Sequence, residues 1–328
     1  LWKDSEKTVS GVKEVIMSKI AIIGVGDVGA TLAYTLQLSG LATEIVLIDI
    51  DKERTHGHVL DMNHGLFFTP PVKIYAGEYS DCQGAKVIVI TAGSRQKPGE
   101  TRLQLVQRNG EICKSIVDQI ASYLKETVLL VATNPVDVMT YVVLKSSGLS
   151  SRQVLGSGTV LDSARFRYSL SQRCNVDARN VHAYVIGEHG DSEVFLWSLV
   201  NISGIPLETF CKSCEHKCTP SPPKSQIEET VRKSAYHIIE AKGFTNYGVS
   251  LAMLRILGAI LRDEHSVLTV STFLNGEYGL HDLCLSIPCM ISINGVERVI
   301  ETTLSVEESA ALQKSAGIIK SVIKSLGY

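Results

Sequence analysis

A chain of 328 residues, 45% hydrophobic and 20% charged, is long enough for two ordinary domains and has the balance of a globular protein. Its formal net charge of −2 excludes a general pull toward nucleic acid or anionic membrane, and no apolar run approaches the length of a membrane span. The N-terminus is too charged for a signal peptide, so the expected setting is cytoplasmic, with no nucleic-acid and no membrane partner.

Residues 1–16 lack a clear apolar period and are expected to form an N-terminal extension or arm. From 17 to 156, short β-branched strands are predicted at Ile20–Val25, Glu44–Asp49, Val87–Thr91 and Val128–Ala132, with amphipathic helices between them such as Leu103–Leu124. That alternation predicts an α/β fold built on a doubly wound parallel sheet. From 157 to 328 the texture changes to α+β. A helix at Ser163–Arg173 leads to a strand at Val181–Ile186, long helices follow near Gln226–Lys242 and Ser305–Leu326, and Ser266–Leu274, Leu283–Ile293 and Gly295–Leu304 alternate like antiparallel strands.

The first strand runs into Gly24-Val25-Gly26-Asp27-Val28-Gly29, a helical pattern follows, and Asp49 lies 20 positions beyond Gly29. Strand, glycine turn, helix and acid together meet the context required of a Rossmann dinucleotide fingerprint. Gly24 permits the tight turn, Gly26 lets a pyrophosphate approach the backbone, and Gly29 lets helix and strand pack closely. Asp49 can accept from both ribose hydroxyls and would repel a 2′-phosphate, so NAD (NADH) is the expected cofactor rather than NADP.

After the third of these strands comes Arg95-Gln96-Lys97-Pro98-Gly99-Glu100-Thr101-Arg102, a charged Pro-Gly loop at the ligand-binding end of a parallel sheet. Further on, Asp162-Ser163-Ala164-Arg165 opens a helix and Gly187-Glu188-His189-Gly190-Asp191 follows a strand. Taken one at a time, these are a helix cap, a solvated arginine and a loop histidine. Beside a dinucleotide site they supply the parts that hydride transfer to a carbonyl requires. Of the eight cysteines, Cys211, Cys214 and Cys218 surround His216 with a spacing open to zinc. All four lie in one short segment with no second knuckle, so a polar turn-rich loop, marked by Pro220, Pro222 and Pro223, is expected there and no metal.

In Gly24–Gly29, Asp49, Gln96–Arg102, Thr133-Asn134-Pro135, Asp162–Arg165, Gly187–Asp191 and Lys242–Thr245, the chain resembles the lactate/malate dehydrogenase family from Met17 to near its end. Its texture is closer to bacterial lactate-type members than to animal ones. The resemblance implies reversible reduction of pyruvate to L-lactate with NADH. Arg165 would grip the substrate carboxylate, His189 would donate and accept the proton, and Asp162 would hold the imidazole. Arg102 would close over the site, Asn134 would position nicotinamide and substrate, and Val249 would face the nicotinamide. Gln96, with Thr245 as a small neutral neighbour, stands where a malate enzyme places an arginine, which favours pyruvate over oxaloacetate.

Arg167 and His182 occupy the positions where bacterial members activated by fructose 1,6-bisphosphate carry their phosphate ligands. A structural arginine and histidine is the other reading. The family also implies a homotetramer. The alternatives are a malate or other 2-hydroxy acid dehydrogenase and, from another class, an NAD-binding protein without catalysis, although His189, Arg165 and Arg102 are all present.

Overall fold

The computed structural model describes residues 18–94, 99, 101–213 and 224–328. The first half runs β1 (Lys19–Ile23), α1 (Asp27–Ser39), β2 (Glu44–Ile48), α2 (Lys52–His64), β3 (Lys73–Ala76), β4 (Val87–Ile90), α3 (Arg102–Ile120), β5 (Val128–Val131), α4 (Val136–Ser147) and β6 (Val154–Gly156). These six strands are parallel in the order 3-2-1-4-5-6, the Rossmann order. Every residue of β4 and β5 is buried, as expected where helices cover both faces of a parallel sheet. The order reverses between β1 and β4, and at such a reversal α/β folds bind ligands at the carboxyl ends of the strands.

The second half contains α5 (Val160–Cys174), then the short strands β7 (Val181–His182), β8 (Val185–Ile186), β9 (Val194–Phe195), β10 (Asn201–Ile202) and β11 (Ile205–Pro206). α6 (Leu207–Ser213), α7 (Lys224–Lys242), α8 (Tyr247–Leu261), β12 (Ser266–Asn275), β13 (His281–Ser292), β14 (Gly295–Val299) and α9 (Val306–Ser325) complete it. A second, smaller core gathers Phe166, Val181, Phe195 and Val231, with Phe166 edge-on to Phe195 and Trp197 at 5.0 and 4.8 Å. Among the described residues no helix is long and apolar enough to cross a membrane.

The antiparallel strands expected in the second half join the parallel sheet: β12 meets β6 at Ser271 and Gly156, so the order continues β6-β12-β13-β14 in one nine-stranded sheet. Three element bounds differ from those read in the sequence for reasons the structure gives. The strand expected over Val181–Ile186 is two pieces, because its ladder partner changes from β10 to β9 and side chains of α5 bond the backbone of Val185. β14 stops at Val299, where the next residue opposite is Pro288, which has no N–H to continue the ladder. Finally, Arg102 is the first residue of α3 rather than part of the loop. Its helix starts there because Thr101 and Gln104 form a reciprocal capping box.

Candidate active site

The glycine turn follows β1 at that reversal of strand order. Gly24 has a φ of +102°, and a Cβ there would strike the backbone of Ala92; one on Gly29 would overlap the Gly24 carbonyl. Gly26 is different: a Cβ would meet no atom within 4 Å, so its backbone faces open space at the N-terminus of α1. That is the approach a pyrophosphate needs, with the helix amides and dipole directed at it. Asp49 follows β2, and its carboxylate accepts from the Val25 N–H at 2.5 Å and the Asp51 N–H at 3.0 Å. Asp27 lies in the first turn of α1 with Arg54 at 3.5 Å. Val28 and Val249 are both partly buried where α8 packs on α1, and the Ser250 hydroxyl donates to the Val28 carbonyl at 3.4 Å. These residues fit a dinucleotide.

The second cluster is assembled from α5 and the loop after β8. Asp162 and Arg165 are one turn apart and share a face, with the guanidinium 2.8 Å from the carboxylate. The other carboxylate oxygen lies 2.5 Å from Nδ1 of His189. The alignment has a local cause. The Thr159 hydroxyl donates to the Val185 carbonyl at 2.5 Å, and the Ser163 hydroxyl accepts from the Val185 N–H at 2.9 Å, so the start of α5 is clamped to the strand that leads to His189. Burial opposes charge on the imidazole, but the Asp162 carboxylate overrides it and holds His189 up to about 9. Burial likewise opposes charge on Asp162, and His189 and Arg165 together hold its carboxyl below the ordinary value.

Two residues that the sequence reading missed hold this arrangement in place. Asp137 on α4 is buried and accepts from the backbone N–H of His189 at 2.8 Å and from the Ser286 hydroxyl at 3.1 Å. Burial pushes its carboxyl up to about 6, against those hydrogen bonds. Asn109 on α3 is also buried, accepting from the Ser94 N–H at 2.8 Å and donating to the Asn134 carbonyl at 2.9 Å. It thereby joins the ends of two strand-to-helix connections, the second carrying the cis Asn134–Pro135 peptide. An acid in a run, Val136–Leu144, whose other residues are apolar except Thr140 was the available signal for Asp137.

A cavity of about 440 Å³ brings together Asn134, Asp162, Arg165, His189 and Arg102. Arg102 is exposed and rests 3.4 Å from Asp191, whose other oxygen accepts from the Tyr236 hydroxyl at 3.0 Å. Thr245 does not line this cavity. It is half-buried before α8, beside Asn246, which donates to Thr31 of α1 at 2.9 Å and accepts from Lys242 at 2.6 Å. Gln96 lies outside the described residues, as do Cys214, His216 and Cys218. Arg167 and His182 stand apart from the cavity: the Arg167 Nε donates to the Ala183 carbonyl at 3.0 Å with the guanidinium over the Tyr184 ring, and His182 is exposed on β7.

Two family profiles match the chain, "lactate/malate dehydrogenase, NAD binding domain" over residues 18–156 and "lactate/malate dehydrogenase, alpha/beta C-terminal domain" over 159–326. An L-lactate dehydrogenase of Acetivibrio thermocellus is 52% identical, covering 95% of this chain and 98% of that protein. One of Thermoanaerobacter pseudethanolicus is 54% identical, covering 94% and 99%. Among solved structures, a minor L-lactate dehydrogenase of Enterococcus mundtii in a ligand-bound form superposes with a TM-score of 0.91 at 38% identity, covering 94% of this chain and 98% of the other. A lactate dehydrogenase from a deep-sea metagenome library gives 0.92 at 42%, covering 95% and 99%.

Proposed function

The chain belongs to the lactate/malate dehydrogenase family, and from that premise we propose that it acts as an NAD-dependent L-lactate dehydrogenase, reducing pyruvate reversibly to L-lactate. The observation that carries the reading is the Arg165–Asp162–His189 chain of contacts inside a cavity that also holds Asn134. Bound against Gly24, Gly26, Asp27, Val28, Gly29 and Asp49, NADH supplies the hydride. Arg165 has donors beyond the one engaged by Asp162 and receives the substrate carboxylate with them. His189, its Nδ1 occupied by Asp162, presents Nε2 to the ketone oxygen and gives it a proton; neutral His189 takes that proton back from the lactate hydroxyl. Arg102 leaves its exposed contact with Asp191 to stabilise negative charge on that oxygen. Asn134 orients nicotinamide and substrate, Val249 gives the ring an apolar face, and Thr245, which stands off the cavity wall before α8, adds no charge to the site. We place the division between the NAD-binding and substrate domains at 156/157, with 17 as the first residue of the former. In support, one family profile ends at residue 156 and the other begins at residue 159; residues 1–16 lie outside the described residues.

NADH oxidation with pyruvate, oxaloacetate and a branched 2-ketoacid tests the reading; failure with pyruvate alongside turnover of another ketoacid overturns it. A pH profile tests the role of His189. Because its proton is held up to about 9, kcat/KM for pyruvate is expected to fall as pH rises toward and through that value, while lactate oxidation gains as the imidazole becomes neutral. The same pairing has a linkage consequence with a fixed sign. The folded group is raised from 6.5, so its stabilisation is complete below that pH and is lost as pH rises through about 9. Thermal midpoints measured between these limits check the sign.

We further propose that copies assemble as a homotetramer and that Arg167 and His182 bind fructose 1,6-bisphosphate across a two-fold axis, favouring the assembled, active form. The support is their proximity: Arg167 is anchored to the carbonyl of the residue next to His182. Bisphosphate at millimolar concentration is expected to lower the apparent KM for pyruvate, and Arg167→Gln to abolish the response while leaving turnover without effector. No response in the wild type removes the proposal.

A further inference from the structure

Glu193, on the turn between His189 and β9, is 4% exposed, and no described residue donates to its Oε1. An ionised carboxylate held in the interior normally has donors at both oxygens. The neighbouring arginines do not provide them. Arg232 donates to the Glu193 backbone carbonyl at 3.1 Å, pairs with Glu228 at 3.2 Å and lies over the Phe195 ring, while Arg165 is engaged by Asp162. Glu193 nevertheless lines the same cavity as Asp162, Arg165 and His189.

We propose that Glu193 is a positioning residue that acts through its proton. As a neutral acid it leaves Arg165 and protonated His189 free to receive a ketoacid anion; once ionised it repels that anion and competes for the same cations. The inference rests on ketoacid reduction at this cavity. The charges that face it are balanced in a way that allows the switch. α5 presents Asp162 and Arg165, α7 presents Arg232, and its own loop presents His189, Glu188 and Asp191. Arg102 of α3 and Lys314 of α9 complete the wall of the adjoining pocket. Burial, reinforced by Asp162, pushes the Glu193 carboxyl up to about 8 against the pull of His189, Arg232 and Arg165. Its proton is therefore lost in the alkaline range, as is that of His189, held to about 9.

The test is the KM for pyruvate across alkaline pH for wild type, Glu193→Gln and Glu193→Met, with NADH binding followed by fluorescence to identify the folded variants. Wild-type KM is expected to rise about tenfold through the titration of Glu193, the weight of one charge in a partly screened site. Both variants should lose that rise and retain only the one that belongs to His189. Parallel KM profiles in all three proteins overturn the proposal. The proton is also visible without turnover, as a carboxylic-acid carbonyl band in the infrared at neutral pH. Loss of intensity in that band in Glu193→Gln supports the proposal, and an unchanged band overturns it. If the wild type does not reduce pyruvate, the ketoacid reading fails, and the infrared comparison still decides the state of Glu193.

Discussion

Replacing His189 by asparagine is expected to lower kcat for pyruvate by about 10²–10⁴-fold, the usual weight of a positioned general acid, with NADH binding unchanged. Asp162→Asn should produce a loss of the same order at neutral pH for a different reason, and the difference is measurable. The imidazole is held protonated against burial by the Asp162 carboxylate. An asparagine still accepts a hydrogen bond but supplies no charge, so burial takes over and the proton is lost at lower pH than in the wild type. The Asp162→Asn deficit should therefore shrink as pH falls, while the His189→Asn deficit should be flat. The measurement is kcat and KM for pyruvate from acid to neutral pH in both variants, with the NADH dissociation constant as a control for folding. An Asp162→Asn enzyme that keeps the wild-type pH profile would show that the carboxylate orients the ring without setting its charge.

These residues were legible in the sequence because their signals are local. Gly24, Gly26 and Gly29 sit within one turn, and Asp162 and Arg165 are spaced to share a helix face. The Rossmann half was legible for a similar reason, since strands buried on both faces are short unbroken apolar runs. What escaped is carried by contacts between distant segments. Asp137 bonds the amide of a residue 52 positions away, and in sequence it looks like an acid in the first turn of a helix. Glu193 looks like an exposed charge before a strand; only the packing of α5 and α7 around it makes it a buried acid. The continuous sheet was hidden for the same reason, because a single pairing of Gly156 with Ser271 joins its halves and leaves no periodic trace. In sequence Ser163 reads only as part of a helix start and nothing singles out Thr159, although their hydroxyls are what align α5 with the strand before His189.

The largest change of specificity is expected from Gln96→Arg, which should raise the preference for oxaloacetate over pyruvate by about a hundred- to several-thousand-fold, equivalent to about 3–5 kcal/mol. The argument is one of charge. Oxaloacetate carries a second carboxylate where pyruvate has a methyl group. The cavity is walled by apolar side chains that include Val138, Ala235, Ile239 and Val322, so that carboxylate would leave water for a surface that gives it little in return. The cations already present have other tasks: Arg165 receives the first carboxylate, Arg102 the ketone oxygen, and Arg232 is paired with Glu228. If position 96 faces the substrate as proposed, a neutral glutamine would not compensate the extra charge, whereas a guanidinium would pair with it and, with pyruvate bound, would lack that partner. Both effects act on the ratio in the same direction. The ratio of kcat/KM for the two ketoacids should thus change far more than kcat with the better substrate of each enzyme. A variant that folds and binds NADH but leaves the ratio unchanged would mean that position 96 does not face the substrate, and selection against the second carboxylate would then have to come from elsewhere in the cavity.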